Sequence, residues 1–203
     1  MSVDFTARKP DFKNDIVTYG DWGENLFVTS YAGDFEKKGY TVFNVTKDPE
    51  YQSIDIDFVV SKDGDKEAPT FSEIMENPTR YETIEVKVDT RTIDTGNVPY
   101  EVISHAQPGW SLVTKCNKVF FIIARENGDV LTPISGLWID MLKWEKYIFD
   151  KTTPKRCNFI KSENGIADLL CKLKDLRNYG VVISEKSFVA PASTVSQEKN
   201  VYL

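Results

Sequence analysis

The chain has 203 residues, of which 41% are hydrophobic and 28% are charged, and its formal net charge is −6. This length suits one domain with a real core, and the acidic balance argues against a generally basic nucleic-acid coat protein. Three cysteines without a CxxC pair and one histidine exclude a His/Cys zinc cluster. Because no export signal and no apolar run of about eighteen residues is found, we expect a cytoplasmic protein without a membrane partner.

The first half of the chain predicts one helix and then three strands. Helical spacing of apolar residues covers 23–38, and Gly39 is a natural stop. Strands are predicted over 40–45, 53–60 and 81–89, with a short helical turn at 71–75. The second and third strands form a hairpin-like pair.

The second half predicts further strands and two helices. Residues 100–104 are a short strand or a helix start, and 118–125 form a buried-type strand that ends at the turn signal "NGD". Helical spacing predicts helices over 136–150 and 163–180, with Gly180 ending the second, before a last strand at "VVIS". The order implies an α/β fold with a mixed β-sheet flanked by helices. We expect one domain over 1–190 and a loose tail over 191–203.

The stretch "TIEVKVD" at 83–89 alternates apolar and charged residues. It places Ile84, Val86 and Val88 on one face of a strand and Glu85, Lys87 and Asp89 on the other. Alternation alone indicates only an antiparallel strand with one solvated face. The preceding strand repeats the pattern, because it carries two aspartates two residues apart.

These two strands can bring several carboxylates and a lysine together. Asp55 and Asp57 share one face of the strand over 53–60, and Glu85 shares a face with Lys87 on the next. Like charges about 4 Å apart repel by about 4 kcal/mol at an effective dielectric of 20, so a cation is expected among them. Mg²⁺ or Mn²⁺ fits best, because hard divalent ions take carboxylate and phosphate oxygens. Lys87 would either handle the attacking water or stabilise the pentavalent phosphate.

The pattern resembles the D…(D/E)xK signature of the PD-(D/E)xK nucleases, which have the restriction-endonuclease-like fold. Asp55 is followed, after a loop, by Glu85-Val86-Lys87. An early helical acidic residue and the later "TGNVPYEVIS" and "GW" are similar to a small phage and bacterial branch of these nucleases. The similarity covers residues 20–123, about half of the chain.

The resemblance implies a metal-dependent endonuclease that cleaves DNA and is of phage or mobile-element origin. Asp55 and Glu85 would bind Mg²⁺ or Mn²⁺, Lys87 would be the catalytic lysine, and Asp57 is the reserve candidate for Asp55. Glu24 on the first helix would be an auxiliary acidic residue. In the same way, a glutamate after "TGN", Glu101, would hold or orient a metal-bound water. Nucleases that cut both strands often act as dimers, which leaves a homodimer open.

Two departures from the family pattern leave a second function open. No proline precedes Asp55, and Asn117 stands in "CN" where the branch usually has an acidic residue. The second change is either neutral or a mark of weakened activity. The alternative is a catalytically inactive protein of this fold that binds or inhibits a host protein through its acidic surface. Trp110 of "GW" is either a loop anchor into the core or a residue that stacks on a base.

Overall fold

The computed structural model describes residues 15–128, 130–150, 157–161 and 165–188, so the predicted tail over 191–203 lies outside the described residues. The described chain begins with α1 (Asp15–Phe27), which continues through a π-helical turn (Val28–Ala32) into α2 (Gly33–Glu36). Gly39 follows with φ 80°, as expected of a helix stop. The helix predicted over 23–38 is confirmed, but it begins earlier.

Ten strands and six further helices follow in the described residues. The strands are β1 (Thr41–Asn44), β2 (Phe58–Ser61), β3 (Tyr81–Asp89), β4 (Asn97–Ser104), β5 (Gln107–Pro108), β6 (Lys118–Asn127), β7 (Val130–Asp140), β8 (Cys157–Lys161), β9 (Ala167–Lys172) and β10 (Val182–Ser187). The helices are α3 (Pro49–Gln52), α4 (Phe71–Glu76), α5 (Thr92–Thr95), α6 (Trp110–Val113), α7 (Met141–Phe149) and α8 (Leu173–Asn178). The strand predictions for 40–45, 81–89 and 118–125 are therefore confirmed.

The strands form two sheets. The larger is mixed, with the order β1-β2-β3-β6-β7-β10, and the smaller is antiparallel, with the order β5-β4-β9-β8. β3 and β6 run parallel, whereas the other neighbours in the larger sheet run antiparallel. The chain passes from β3 to β6 through α5, β4, β5 and α6, since parallel strands require a long crossover. The structure thus has the predicted mixed α/β architecture with helices beside the sheet.

Both faces of β3 are covered around Glu85, so the solvated face that alternation alone would indicate is not found there. On one side, Ile84 and Val86 pack in a core with Leu26 and Phe27 of α1. The other side faces a second core that contains residues of β6, β7 and α7. Glu85 points to this second side and is only 3% exposed. Alternation identified the strand, but the layer that covers its charged face comes from distant parts of the chain.

A glycine lets α1 lie close against β3. A Cβ added at Gly23 would lie 2.6 Å from Cγ2 of Val88 and 3.2 Å from Cγ1 of Val86. Both distances are shorter than ordinary carbon contacts. The short distance between α1 and β3 therefore depends on the missing side chain at this position.

Three predicted elements differ from the structure. The strand predicted over 53–60 begins only at Phe58, because α3 and a turn with φ 48° at Asp55 precede it. The helix predicted over 136–150 is a strand as far as Asp140, and the one predicted over 163–180 is a strand over Ala167–Lys172. β7 is buried on both faces and β9 lies between β4 and β8, so sheet pairing overrides the apparent helical spacing. Within the described residues, no helix has both the length and the apolarity needed to cross a bilayer.

Candidate active site

Two carboxylates meet where β2 and β3 separate. Phe58 pairs with Ile84 in the antiparallel ladder, so Asp57, one residue earlier, lies opposite Glu85. The Asp57 backbone N–H donates to the Ile84 carbonyl at 2.9 Å. One step further, the Val86 N–H donates at 2.8 Å to the side-chain Oδ2 of Asp57. The Asp57 carboxylate thus takes the place of a backbone acceptor at the end of the ladder.

Glu85 has more negative charge around it than its one cationic neighbour can balance. Its Oε1 forms an ion pair with Nζ of Lys87. No N–H or O–H group of the described residues donates to its buried Oε2, and the Asp57 carboxyl lies within hydrogen-bonding distance of the Glu85 carboxyl. Two carboxyls this close either share a proton or need a further cation between them. Burial raises the pKa of Glu85, and Asp57 raises it further against the opposing effect of Lys87. The pKa of Asp57 is also raised, chiefly by burial.

Asp55 approaches the same group from a turn and not from a strand. The Thr114 hydroxyl donates to the Asp55 carbonyl at 2.9 Å, which ties this turn to the segment before β6. Burial raises the pKa of the Asp55 carboxyl, and the positive charge of Lys87 partly offsets that effect. The structure therefore brings both aspartates near Lys87, but only Asp57 lies in register with Glu85.

Lys87 is held as a cation above an aromatic ring. Its Nζ lies 5.0 Å from the centroid of the Trp110 indole, within the range of a cation–π interaction. Burial acts to lower the pKa of Lys87, but Glu85, Asp55 and Asp57 together raise it above its ordinary value. Lys87 is therefore protonated at neutral pH and can donate hydrogen bonds. A protonated lysine can stabilise a nearby negative charge but cannot accept a proton.

The "GW" dipeptide connects Lys87 to Glu101. The Trp110 N–H donates to Oε1 of Glu101 at 3.3 Å. A Cβ at Gly109 would lie 2.4 Å from the Glu101 carbonyl oxygen, so only glycine fits there. The Trp110 ring also packs against Tyr100 and Trp144, with centroids 6.4 Å and 6.2 Å away. Trp110 therefore anchors its loop in the core, which was one of the two alternatives predicted for it. Its ring also lies against the Lys87 ammonium group.

Glu24 and Glu101 lie in different parts of the site. Glu24 on α1 is half-buried, and its pKa is raised by burial, by Asp21 and by the charge of Glu85. Glu101 on β4 stands opposite Asp168 on β9. Burial, then Glu101, raises the pKa of Asp168 to about 6. Glu24 is thus electrostatically linked to the Asp57–Glu85 pair, whereas Glu101 contacts the backbone N–H of the tryptophan under Lys87.

Asn117 stands where the sequence resemblance implies an acidic residue, and its side chain forms hydrogen bonds that hold two strands together. Its Oδ1 accepts the Thr83 N–H at 3.1 Å, and its own N–H donates to Oγ1 of Thr83 at 2.9 Å. Its Nδ2 donates to the Tyr81 carbonyl at 3.4 Å. A carboxylate could not make this last bond, because it has no proton to donate. Asn117 therefore fastens the start of β6 to β3.

Sequence reasoning missed the role of two neighbours of the site. Trp110 was recognised as an aromatic residue of "GW", but nothing in its spacing indicated that it lies beneath Lys87. The Cys116 thiol is buried within the electrostatic reach of Glu85 and Lys87, and burial raises its pKa to about 12. No local pattern connects this cysteine to a strand thirty residues earlier. Only the parallel pairing of β3 with β6 brings them together.

The described residues contain no group of three or more His, Cys, Asp or Glu side chains placed to hold a metal ion. A magnesium site does not require such a group, because Mg²⁺ keeps several waters and binds through one or two carboxylates with substrate phosphates. The adjacent carboxyls of Glu85 and Asp57 fit a site of that kind. No family model matches the chain, and searches of curated proteins and of solved structures return no match.

Proposed function

We propose that the chain is a metal-dependent phosphodiesterase, an endonuclease of the PD-(D/E)xK type that cleaves DNA. One observation carries the proposal: Glu85 is buried, pairs with Lys87 through one oxygen, and its carboxyl lies within hydrogen-bonding distance of the Asp57 carboxyl, so that two carboxyls share one lysine. Two carboxyls this close repel when both are ionised. A divalent cation that displaces the shared proton would relieve this repulsion and complete the site.

The arrangement of the elements supports a restriction-endonuclease-like fold. A helix at the start of the described chain carries Glu24 and packs on β3. The aspartate-bearing segment before β2 runs antiparallel to β3, which carries Glu85 and Lys87. The mixed sheet is flanked by helices. These features agree with the resemblance on which the proposal rests.

Asp57 and Glu85 are the residues that would hold the metal. Both would supply carboxylate oxygens, and the Val86 N–H that donates to Oδ2 would hold the Asp57 carboxylate in place. Asp55 and Glu24 add negative charge around this pair. A bound Mg²⁺ or Mn²⁺ would polarise the phosphoryl group and lower the pKa of a water molecule. The protonated Lys87 would donate to a phosphate oxygen and offset the charge that develops in the transition state.

The test compares site variants on β3 with matched controls on β3 and its neighbour β6. Lys118 of β6 pairs with Glu82 of β3 at 2.7 Å, so it repeats the lysine–glutamate pair away from the site. Cleavage of labelled linear, circular, single-stranded and branched DNA is measured with Mg²⁺ or Mn²⁺. Lys87→Met and Glu85→Gln should each lose about 100- to 1,000-fold in rate. Lys118→Met and Glu82→Gln should retain the wild-type rate.

Calorimetry measures Mn²⁺ binding separately from cleavage, so it tests whether Glu85 binds the metal. Glu85→Gln should lose heat of Mn²⁺ binding, whereas Glu82→Gln should keep it. If the wild-type protein neither cuts any of these substrates nor binds either metal, the proposal is wrong. In that case capture of a host protein without DNA affinity would favour the inactive binding module. Equal cleavage rates for Lys87→Met and Lys118→Met would also contradict the nuclease proposal.

A further inference from the structure

Cys157 and Cys171 face each other across two antiparallel strands. β8 pairs with β9, and the register sets Cys157 directly opposite Cys171. Opposite residues of an antiparallel pair have Cα atoms about 4.5 or 5.5 Å apart. Disulfides span Cα separations of about 4.4 to 6.8 Å. Both cysteines are free thiols, and the backbone already has a spacing that a disulfide can bridge.

The two thiols differ in a way that assigns them different roles. Cys171 is fully buried and its Sγ donates to the Leu169 carbonyl at 3.7 Å. Cys157 is half-buried on the edge strand β8, so a small reagent can reach it. Contact with the Cys171 thiol lowers the pKa of Cys157, while the same contact and burial raise the pKa of Cys171. Reactive cysteines typically have this accessible, more acidic thiol beside a second, resolving thiol.

We propose that Cys157 and Cys171 form a redox modification site, at which a hydroperoxide converts the two thiols into a cross-strand disulfide. The Cys157 thiolate attacks the peroxide, the O–O bond breaks, and Cys157 becomes a sulfenic acid while the leaving oxygen takes a proton. The Cys171 sulfur then attacks the Cys157 sulfur, the S–O bond breaks, and the hydroxide leaves as water with the Cys171 proton. Two thiols are oxidised and one peroxide is reduced, so the step needs no further reactant.

The site lies in the smaller sheet and uses neither DNA nor a metal, so it does not rest on the proposed nuclease function. β9 pairs with β4 as well as with β8, so a link at Cys171 ties the edge strand to the middle of this sheet. The loop that the link closes runs from 157 to 171. Closing a loop of about 15 residues restricts the unfolded chain, and we expect the Tm to rise by several degrees.

The experiment treats the full chain, folded, with hydrogen peroxide and then alkylates the remaining thiols before digestion and mass spectrometry. The expected result is the loss of two of the three thiols, one peptide pair joined through Cys157 and Cys171, and full reversal by dithiothreitol. Cys116 is the matched control, because it is a buried thiol outside this strand pair. Cys116→Ala should still form the link, and Cys157→Ser should not.

Two results would overturn the proposal. One is recovery of Cys157 as a sulfinic acid while Cys171 remains an alkylatable thiol. The other is a link that joins two chains through Cys157. Cys171→Ser introduces a hydroxyl at a fully buried position and can disturb folding. Cys157→Ser changes a half-buried edge residue, so this variant, checked by circular dichroism, keeps the test interpretable.

Discussion

The backbone N–H of Val86 donates to Oδ2 of Asp57 at 2.8 Å, and this bond sets Asp57 opposite Glu85. Asp55 lies two residues earlier in a turn with positive φ. Asparagine keeps an acceptor oxygen at either position but removes the charge. We therefore predict that Asp57→Asn weakens Mn²⁺ binding by roughly 10- to 100-fold or more, the range known even for indirect partners of a metal.

Asp55→Asn is the matched control for this prediction. Its carboxyl adds charge near Lys87 but is not in register with Glu85, so we expect at most a few-fold loss of Mn²⁺ affinity, about 1 kcal/mol or less. Titration calorimetry of the two variants measures the difference directly. A larger loss in Asp55→Asn than in Asp57→Asn would restore the assignment implied by the sequence resemblance.

The second prediction concerns Trp110, whose ring lies beneath Lys87. Trp110→Leu and Trp110→Phe both remove buried area, but only phenylalanine keeps an aromatic face for the ammonium group. Cation–π contacts contribute about 0.5 to 2 kcal/mol. If the chain cuts DNA as proposed, Trp110→Leu should lower kcat by roughly 2- to 30-fold with little change in KM, and Trp110→Phe should recover most of it. The same kcat in both variants would show that the ring only fills space.

Most of β3 and β6 could be predicted from the sequence, because their signals are local. Alternation gave the bounds of β3, and the apolar run gave β6. The burial of Glu85 could not be predicted, because the solvent exposure of a charged strand face depends on which distant elements pack against it. The sequence also could not separate Asp55 from Asp57. A spacing of two gives both residues the same face of a strand, and only the turn after α3 removes Asp55 from the strand.

The errors in the second half have a common cause. Leu169 fits a helical pattern with Leu173 and Leu176, and the last two do lie on α8. Leu169 instead pairs with Tyr100 of β4 and with Phe159 of β8. A strand with a neighbour on each side forms backbone hydrogen bonds along both edges. The local spacing of apolar residues carries no information about these distant partners. Local sequence patterns therefore predicted β3 and β6 of the larger sheet better than they predicted the strands of the smaller sheet.

The third prediction is a pH dependence of metal binding. Burial raises the pKa of Asp57 to about 6 and that of Glu85 to about 8, and the two carboxyls titrate as a pair. A metal binds the deprotonated carboxylates, so below these pKa values it must displace protons. We expect Mn²⁺ affinity to rise with pH between about 6 and 8 and then to level off. Calorimetry in buffers of different ionisation enthalpy should also detect proton release, and affinity that stays flat across this window would contradict the assignment.

The fourth prediction uses two helical glycines as a matched pair. Gly23→Ala places a methyl group 2.6 Å from Cγ2 of Val88, whereas a Cβ at Gly33 meets nothing within 4 Å. Alanine is favoured over glycine in helices by about 1 kcal/mol, and overpacking costs about 1 to 3 kcal/mol. Gly33→Ala should raise the free energy of unfolding in urea, and Gly23→Ala should leave it unchanged or lower it. If both variants are equally stabilised, α1 can move away from β3 without cost.

The fifth prediction concerns the half-buried carboxyl of Asp168. Burial, Glu101 and Asp89 raise its pKa from 3.8 to about 6 against the opposing charge of Arg91. Between about pH 4 and 6 the folded state therefore holds a proton that the unfolded state has released. Stability then falls as the pH rises through this window, and the cost persists above pH 6.

Asp168→Asn removes the ionisable group, so it should raise the free energy of unfolding at pH 7 by about 1 kcal/mol, because solvent screens part of the charge of this half-buried group. The gain should disappear near pH 4, where Asp168 is protonated in the folded state. Urea unfolding at pH 4, 5, 6 and 7 measures this trend, with Glu126→Gln as the control at an exposed carboxylate. A gain of the same size at every pH would mean that the asparagine improves packing and that Asp168 does not carry an electrostatic cost.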